Sequence, residues 1–293
     1  MYNKTEVREI ETISKMSSYA ERLEKKALEA LRKMRPLDDT LMREMFRDCP
    51  EFAEPVLRII TGKPDLELVK LQTQYDIKRA EGARSVCLDV LAVDGSGTLY
   101  DIEIQRADGG AAPKRARYHS SVMDVEFLDK GEDFETLPCS YVIFITENDV
   151  LGGGRAVYPI ERVNTAMNCP FGDDEHILYL NASYDNKDDL SDIAMLMHDF
   201  RCVSPDDMHF EFMEERTRYF KENEKGESGM CKIVEDLGKE VAEWYVNERE
   251  LAIAKSLLNM GYMPMDKIAE ASGVPLEMVE ELAREIENEQ QNI

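Results

Sequence analysis

Asp89, Glu103 and Gln105, within the stretch 85–106 (SVCLDVLAVDGSGTLYDIEIQR), are the residues whose types and spacing could do chemistry. The stretch alternates as two strands. Val86, Leu88, Val90 and Ala92 interleave with Cys87, Asp89, Leu91 and Val93, and alternation resumes from Leu99 to Arg106. Between the two runs, Asp94-Gly95-Ser96-Gly97 has the composition of a tight turn. Strand propensity disfavours acids at Asp89, Asp101 and Glu103, so their presence asks for a reason. If Gly95-Ser96-Gly97 forms a three-residue loop, Asp94 faces Thr98 and Asp89 lies directly opposite Glu103, with Cβ atoms about 4.5–5.5 Å apart. Gln105 shares their face, two residues along the strand. A two-residue loop would send the acids to opposite faces, so the register rests on the turn. Facing carboxylates repel each other unless something positive sits between them, and a hard divalent cation such as Mg²⁺ suits such oxygen ligands. The same spacing also describes a solvent-facing acidic strand pair.

D-x13-E-x-Q on a hairpin resembles the active site of the PD-(D/E)xK nuclease superfamily. Within it, the pattern is most similar to the Rpn (recombination-promoting nuclease, or putative transposase) family, in which Gln commonly replaces the superfamily Lys. The matching residues are Leu88-Asp89-Val90 and Asp101-Ile102-Glu103-Ile104-Gln105, and the resemblance spans roughly residues 36–215. It implies an α/β fold, a restriction-endonuclease-like mixed sheet flanked by helices. It also implies a DNA endonuclease linked to mobile elements or recombination. Asp89 and Glu103 would hold Mg²⁺, with Mn²⁺ as a substitute, and Gln105 would orient the water or the phosphate. Gln cannot carry the positive charge of Lys, which leaves open which residue stabilises the transition state. The superfamily often takes a third acid from an early helix, where Asp39 or, less well placed, Glu44 could serve; helix capping alone also accounts for Asp39. After the hairpin the family carries an Arg followed three residues later by Tyr, here Arg115 and Tyr118, and then a variant of Gly-x-x-Phe at Gly131 to Phe134. Lys114, Arg115, Arg117 and Tyr118 are therefore candidates for contacts to DNA phosphates, with a solvated helix face as the bland alternative.

The elements that must position these residues can be read in chain order. Residues 14–34 carry a stripe of Leu23, Ala27, Leu31 and Met34, which predicts a helix packed on the body or on a partner. Pro36-Leu37-Asp38-Asp39 opens a helix over TLMREMFRD with Asp38 or Asp39 as N-cap, and FAEPVLRIITG is a second helix ending at Gly62. Residues 66–78 are expected to enter the sheet as its first strand, and a helix is expected to start near Lys114. Ser140 to Thr146 reads as a buried strand, 176–182 as another strand, and Leu190 to Phe200 as a helix. Asp149 to Arg155, DVLGGGR, lacks the spacing and the Lys-Ser/Thr ending of a phosphate loop, so no nucleotide cofactor is expected. His176 and His198 stand alone in sequence and read as structural. No serine or cysteine carries an elbow motif.

Residues 211–250 are helical in pattern and strongly acidic, with a polar break from Asn223 to Gly229. Met265 to Ala271, Ser272-Gly273, then Pro275 to Glu287 resembles a short helix-turn-helix. Its second helix begins Pro-Leu-Glu-Met-Val-Glu-Glu, without the Arg, Lys, Asn or Gln that reads bases, so it reads as a packing or oligomerisation element. The expected organisation is an N-terminal helical extension (1–35), a nuclease-like core (36–215) and an acidic helical C-terminal region (216–293). The terminal helices are candidates for a homo-oligomer contact.

At 293 residues, 43% apolar and 33% charged, the chain is globular and long enough for a real core. No apolar run approaches a membrane span, and the opening MYNKTEVREIET lacks the apolar segment of a secretory signal, so a cytoplasmic protein is expected. Six cysteines without a C-x-x-C pair read as reduced thiols and support neither a zinc site nor a disulfide framework. The net charge of −24 opposes simple non-specific DNA binding. It is unevenly spread: +3 over residues 1–35, −5 over 36–130 and −22 over 131–293. DNA would have to approach a locally basic patch. The competing function, from another class, is a nuclease fold with weak or no cleavage that acts as an interaction or regulatory module. An acidic DNA mimic would explain the charge but not the hairpin. What separates the first two is whether Asp89, Glu103 and Gln105 converge in a cleft rimmed by Lys114, Arg115 and Arg117.

Overall fold

Three consecutive strands, β1 (Leu68–Ile77), β2 (Val86–Asp94) and β3 (Leu99–Gln105), form an antiparallel meander in the computed structural model. The structure describes residues 25–77, 85–106, 108–222, 233, 250–260, 263–276, 278–280 and 282–284. Before the meander come two helices, α1 (Asp39–Phe46) and α2 (Pro50–Thr61). After it, α3 (Pro113–Phe127) crosses over to β4 (Ser140–Thr146), which pairs parallel to β3. A short edge strand, β5 (Val157–Ile160), and a two-stranded ribbon, β6 (Val163–Asn164) with β7 (Cys169–Pro170), precede β8 (Glu175–Asn181). The main sheet runs β1-β2-β3-β4-β8-β5, mixed in direction, as the expected fold class requires. Pro159 sits in β5, at the sheet edge where a missing N–H costs no ladder bond. α4 (Asp192–Arg201) and α5 (Glu211–Glu222) follow the sheet and pack with α2.

Both faces of the sheet centre are buried, so β4 reads as a continuous apolar run and not as an alternation. On one face Leu91, Leu99, Val142, Phe144 and Tyr179 pack with Ala116, Val122 and Met123 of α3. This is also the face of Asp89, Asp101, Glu103 and Gln105, by the period of two along each strand. α3 therefore carries an apolar stripe over one half of that face and polar side chains over the other. The opposite face, with Val90, Ala92, Tyr100, Ile102, Ile143 and Ile145, is fully buried as well.

The β2–β3 turn has the three-residue form that the register needed. Gly97 N–H donates to Asp94 C=O at 3.0 Å, and Asp94 N–H donates to Thr98 C=O at 3.1 Å. Gly97 takes the left-handed conformation with φ +87°, completing a type I turn plus bulge. Asp94 Oδ1 accepts the N–H of Ser96 and of Thr98, and Oδ2 accepts the Tyr100 hydroxyl at 2.7 Å. Desolvation acts to raise the Asp94 carboxyl, but the hydrogen bonds from Ser96, Tyr100 and Thr98 win and hold it below its ordinary value.

Asp38 occupies the N-cap position of α1, yet its side chain does not cap the helix. It turns back instead, with Oδ2 accepting Arg35 N–H at 2.7 Å and Oδ1 bonded by the Arg35 guanidinium at 3.0 Å. Glu147 joins Arg35 at 2.8 Å and Arg106 at 3.2 Å, and Arg106 reaches Asp38 at 3.5 Å. These four charges tie the start of α1 to the ends of β3 and β4. The predicted helix over 14–34 is helical at 25–33, and the part before residue 25 lies outside the described residues.

The chain divides into two compact units, Leu31–Ile233 and Met1–Ala30 with Val234–Ile293. The second unit has its own core of Ala254, Ile268, Val274, Val279 and Leu282. There, α6 (Met265–Ser272) ends at Gly273 in the left-handed conformation, and residues 276, 278–280 and 282–284 are again helical. Most of residues 223–249 lie outside the described residues. No helix among the described residues is long and apolar enough to cross a membrane.

Because the loop sets which face the acids occupy, Gly97 is the residue to perturb. Gly97→Ala forces a Cβ into a left-handed conformation and is expected to lower unfolding free energy by ~1–2 kcal/mol, measured by urea denaturation. A change within error would mean that the turn tolerates another form.

Candidate active site

Backbone pairing of β2 with β3 runs from Val93–Leu99 to Val90–Ile102. At the next step side chains stand in for carbonyls. Glu103 Oε1 accepts the Asp89 N–H at 3.0 Å, and Asp89 Oδ2 accepts the Ile104 N–H at 3.2 Å. The two carboxylates thus strap the strands across the hairpin, Asp89 opposite Glu103, as the three-residue loop predicts. β3 meanwhile stays paired with β4 as far as Gln105–Thr146, so Glu103 and Gln105 project from a strand held on its other edge.

α3 delivers the counter-charge. Pro113 begins the helix at a position that needs no N–H partner, and Arg115 and His119 lie one turn apart on its inner side. Arg115 Nη2 donates to Glu103 Oε2 at 2.8 Å and Nη1 to Gln105 Oε1 at 3.3 Å. Its Nη1 also reaches Gly110 C=O at 3.1 Å, and Nε donates to His119 Nε2 at 3.2 Å. With Nε2 an acceptor, a neutral His119 ring carries its proton on Nδ1, facing Asp101 Oδ2 at 2.9 Å. Gly110 is required by close approach: a Cβ there would fall 1.8 Å from Gln105 Oε1. The guanidinium lies 5.9 Å from the centre of the Phe144 ring, which forms an apolar floor.

Two fully buried carboxylates, Asp101 and Glu103, and the half-buried Asp89, with one adjoining guanidinium, leave a surplus of negative charge. Burial raises Asp89, the Ile104 N–H lowers it, Asp39 raises it, and Arg43 and Arg115 lower it; the net is upward. Burial and then the Asp89 charge push Asp101 well above the usual carboxylate range. Glu103 is pushed up to about 8 by burial and by the Asp101 and Asp89 charges.

Asp39 sits in the first turn of α1, paired with Arg43 at 2.6 Å and close enough to act on Asp89. Glu44 points elsewhere, in an ion pair with Arg47 at 2.8 Å. Lys114, Arg115 and Tyr118 line a cleft of about 520 Å³ with His119 and with Ser85–Cys87 at the start of β2. Arg117, on another side of α3, is exposed and does not line that cleft. Two residues near the acids were not anticipated as site residues, and both carried a signal. Asp101 shares the strand parity of Glu103 and Gln105, and His119 follows Arg115 by one helical turn. A third is Gln74 of β1, whose Nε2 donates to Asp89 Oδ1 at 3.3 Å. Its φ of +54° is unusual for a side-chain-bearing strand residue, and sequence holds no signal for it.

The donor set fits a divalent cation. Ligand atoms of Asp101, Glu103 and His119 lie within 4.8 Å of one another, Asp89 adjoins them, and the donors are mainly hard oxygens. Asp101 Oδ1 is buried without a hydrogen-bond partner, the kind of orphaned acceptor that a cation or a proton would satisfy.

The raised Glu103 carboxyl has a consequence for stability. Folded protein keeps that proton up to about pH 8, whereas the unfolded chain releases it near its ordinary value of 4.5. Stabilisation from this group is fully present below pH 4.5 and is lost as pH rises towards 8. Glu103→Gln, always neutral, is expected to match wild type near pH 4.5 and to exceed it progressively up to pH 8, read by calorimetry with chelator present. A Tm difference that does not grow with pH would contradict the assignment.

No curated protein and no solved structure matches the chain. Residues 52–195 match the family model of the PD-(D/E)XK nuclease family transposases. That segment includes the hairpin with Asp89, Glu103 and Gln105, the crossover helix with Arg115 and His119, and all six strands of the main sheet. It leaves Asp39 outside. That match covers just under half of the chain.

Proposed function

We propose that the chain is a metal-dependent DNA endonuclease that hydrolyses phosphodiester bonds, acting in the context of mobile elements or recombination. The observation that carries this reading is the convergence of Asp89, Asp101 and Glu103 at the open end of one hairpin, with Arg115 spanning Glu103 and Gln105. Asp89 and Glu103 would hold the cation, Mg²⁺ or Mn²⁺. When bound, such an ion supplies Lewis acidity, which favours ionisation of an attacking water and offsets charge on the phosphate.

The chain's own groups would do the rest. Arg115 is the only guanidinium hydrogen-bonded to Glu103 and Gln105 among the described residues, and it has the fork geometry that grips a phosphate. It takes over the electrostatic role that Gln105 lacks relative to the superfamily Lys. Gln105 orients the water or a non-bridging phosphate oxygen through its amide. His119 and Asp101 fix the orientation of Arg115 from behind. Lys114 and Tyr118 guide the DNA backbone along the cleft, while Arg117 serves at most its outer approach. Water adds to phosphorus, the bridging P–O bond breaks, and the products are a phosphomonoester and a free hydroxyl. Asp39 acts on Asp89 by charge, as a third acid on the rim.

A second reading is favoured by one observation. Arg115 already donates to Glu103 at 2.8 Å, so the site can exist closed and without chemistry, as an interaction module with an acidic rear half. Nicking of supercoiled plasmid separates the two. Wild type with Mg²⁺ or Mn²⁺ is expected to nick, Asp89→Ala and Glu103→Ala to lose more than ~100-fold, and Arg115→Ala ~10²–10³-fold. Folded protein that does not nick at low salt would move the assignment to the interaction module. Nicking that survives both acid substitutions would refute this site.

A further inference from the structure

β1 holds a residue whose backbone is out of place in a strand. Gln74 takes φ +54°, in the left-handed region that residues with a Cβ seldom enter. The other side-chain-bearing residues with positive φ, Asp48, Asn168 and Asp174, lie outside strands and helices. An inserted residue would account for such a distortion, but none is present. The pairs on either side, Thr73–Val90 and Tyr75–Leu88, keep one register, so Gln74 stands opposite Asp89. β1 is an edge strand, and the distortion disturbs pairing on one side only. Backbone strain of this kind gathers at functional sites, where the surrounding structure holds it in place.

The side chain shows what the strained backbone achieves. Asp89 Oδ2 accepts the Ile104 N–H, and Gln74 Nε2 donates to the other oxygen, Oδ1, at 3.3 Å. Gln74 Oε1 lies 3.6 Å from Cys87 Sγ, a weak donor that favours this orientation of the amide. At 3.3 Å the bond to Asp89 is long and adds little binding energy, so its effect is directional. With both oxygens engaged, the carboxylate is fixed in rotation. Glu103 offers the contrast, since its second oxygen is taken by the Arg115 guanidinium. No guanidinium or ammonium group is hydrogen-bonded to Asp89 among the described residues. A neutral amide orients a carboxylate without adding positive charge beside an incoming cation, whereas Lys or Arg in its place would compete with that cation.

We propose that Gln74 is a positioning residue for the metal-dependent reaction: its amide, aimed by a strained strand backbone, holds Asp89 in the orientation that ligates the cation. The inference rests on the reading of Asp89 as a metal ligand. It also explains why glutamine stands where glycine would relieve the backbone, because glycine has no amide to offer. Stability is forgone at this position for the geometry of the site.

Two substitutions test this in the full chain. Gln74→Gly frees the backbone and removes the amide. Gln74→Asn keeps an amide on a residue type that enters the left-handed region more readily, but one methylene short of Asp89. Mn²⁺ affinity is read by electron paramagnetic resonance of the free ion, and folding by urea denaturation. Wild type is expected to bind Mn²⁺ and Asp89→Ala to lose that binding. Both Gln74 variants are expected to bind Mn²⁺ ~10–100-fold more weakly, with urea midpoints no lower than wild type. Their plasmid nicking, weak at low Mn²⁺, is expected to recover at saturating Mn²⁺. A residue that merely braces the sheet would do the reverse. Lowered midpoints with unchanged Mn²⁺ affinity would overturn the inference and leave Asp89 a ligand. Folded wild type without Asp89-dependent Mn²⁺ binding would overturn the inference and the metal-dependent reading together.

Discussion

Like charges held on one face of a β-hairpin are the constraint on which this structure turns. Asp89, Asp101 and Glu103 cannot all ionise side by side in a buried setting without compensation, and the fold supplies it in layers. Backbone N–H groups of Asp89 and Ile104 satisfy one oxygen of each strapping carboxylate. Arg115 answers Glu103, and His119 answers Asp101. What is left over is negative, and it shows in carboxyls raised above their ordinary range. Such a centre is destabilising unless something positive completes it. A site tuned for a cation has this character, and the stability that it forgoes must come from the apolar sheet and helices around it.

The surrounding elements can be understood as means of holding that centre open. Gly97 and Asp94 set the register that places Asp89 opposite Glu103. β4 and β8 keep β3 straight through Gln105, and α3 brings a guanidinium and an imidazole from a single helix face. The Arg35–Asp38–Arg106–Glu147 network anchors α1 so that Asp39 stands near Asp89. At the other end of the unit, Arg216 ties α5 to the same helix.

Much of this was legible in the amino-acid sequence because local rules govern it. Alternation marked β2 and β3, the Gly-Ser-Gly loop marked the register, and the Pro and Gly residues bounded α2 and α3. Asp38 shows where local rules stop: its type and place predict a cap, but Arg35 competes for its carboxylate and wins. The inward turn of Arg115, as against the outward Arg117, follows from helix phase relative to the sheet, which composition cannot reveal. His198 stood alone in sequence because its neighbour His209 is brought back by a loop that the buried Asp199 carboxylate fastens. The uneven charge was visible from the start. Its meaning depends on the few cations that reach the cleft.

The most direct test of the central claim is an anomalous diffraction map from crystals soaked in Mn²⁺. The account predicts a peak touching carboxylate oxygens of both Asp89 and Glu103, at about 2.1–2.2 Å, the usual range for a small divalent ion on oxygen. It also predicts that Arg115 will shift off Glu103 to make room. A map with no peak at the hairpin, and with Arg115 still bridged to Glu103, would contradict it. In that case the acids are held by the protein's own cations, and the fold serves something other than cleavage.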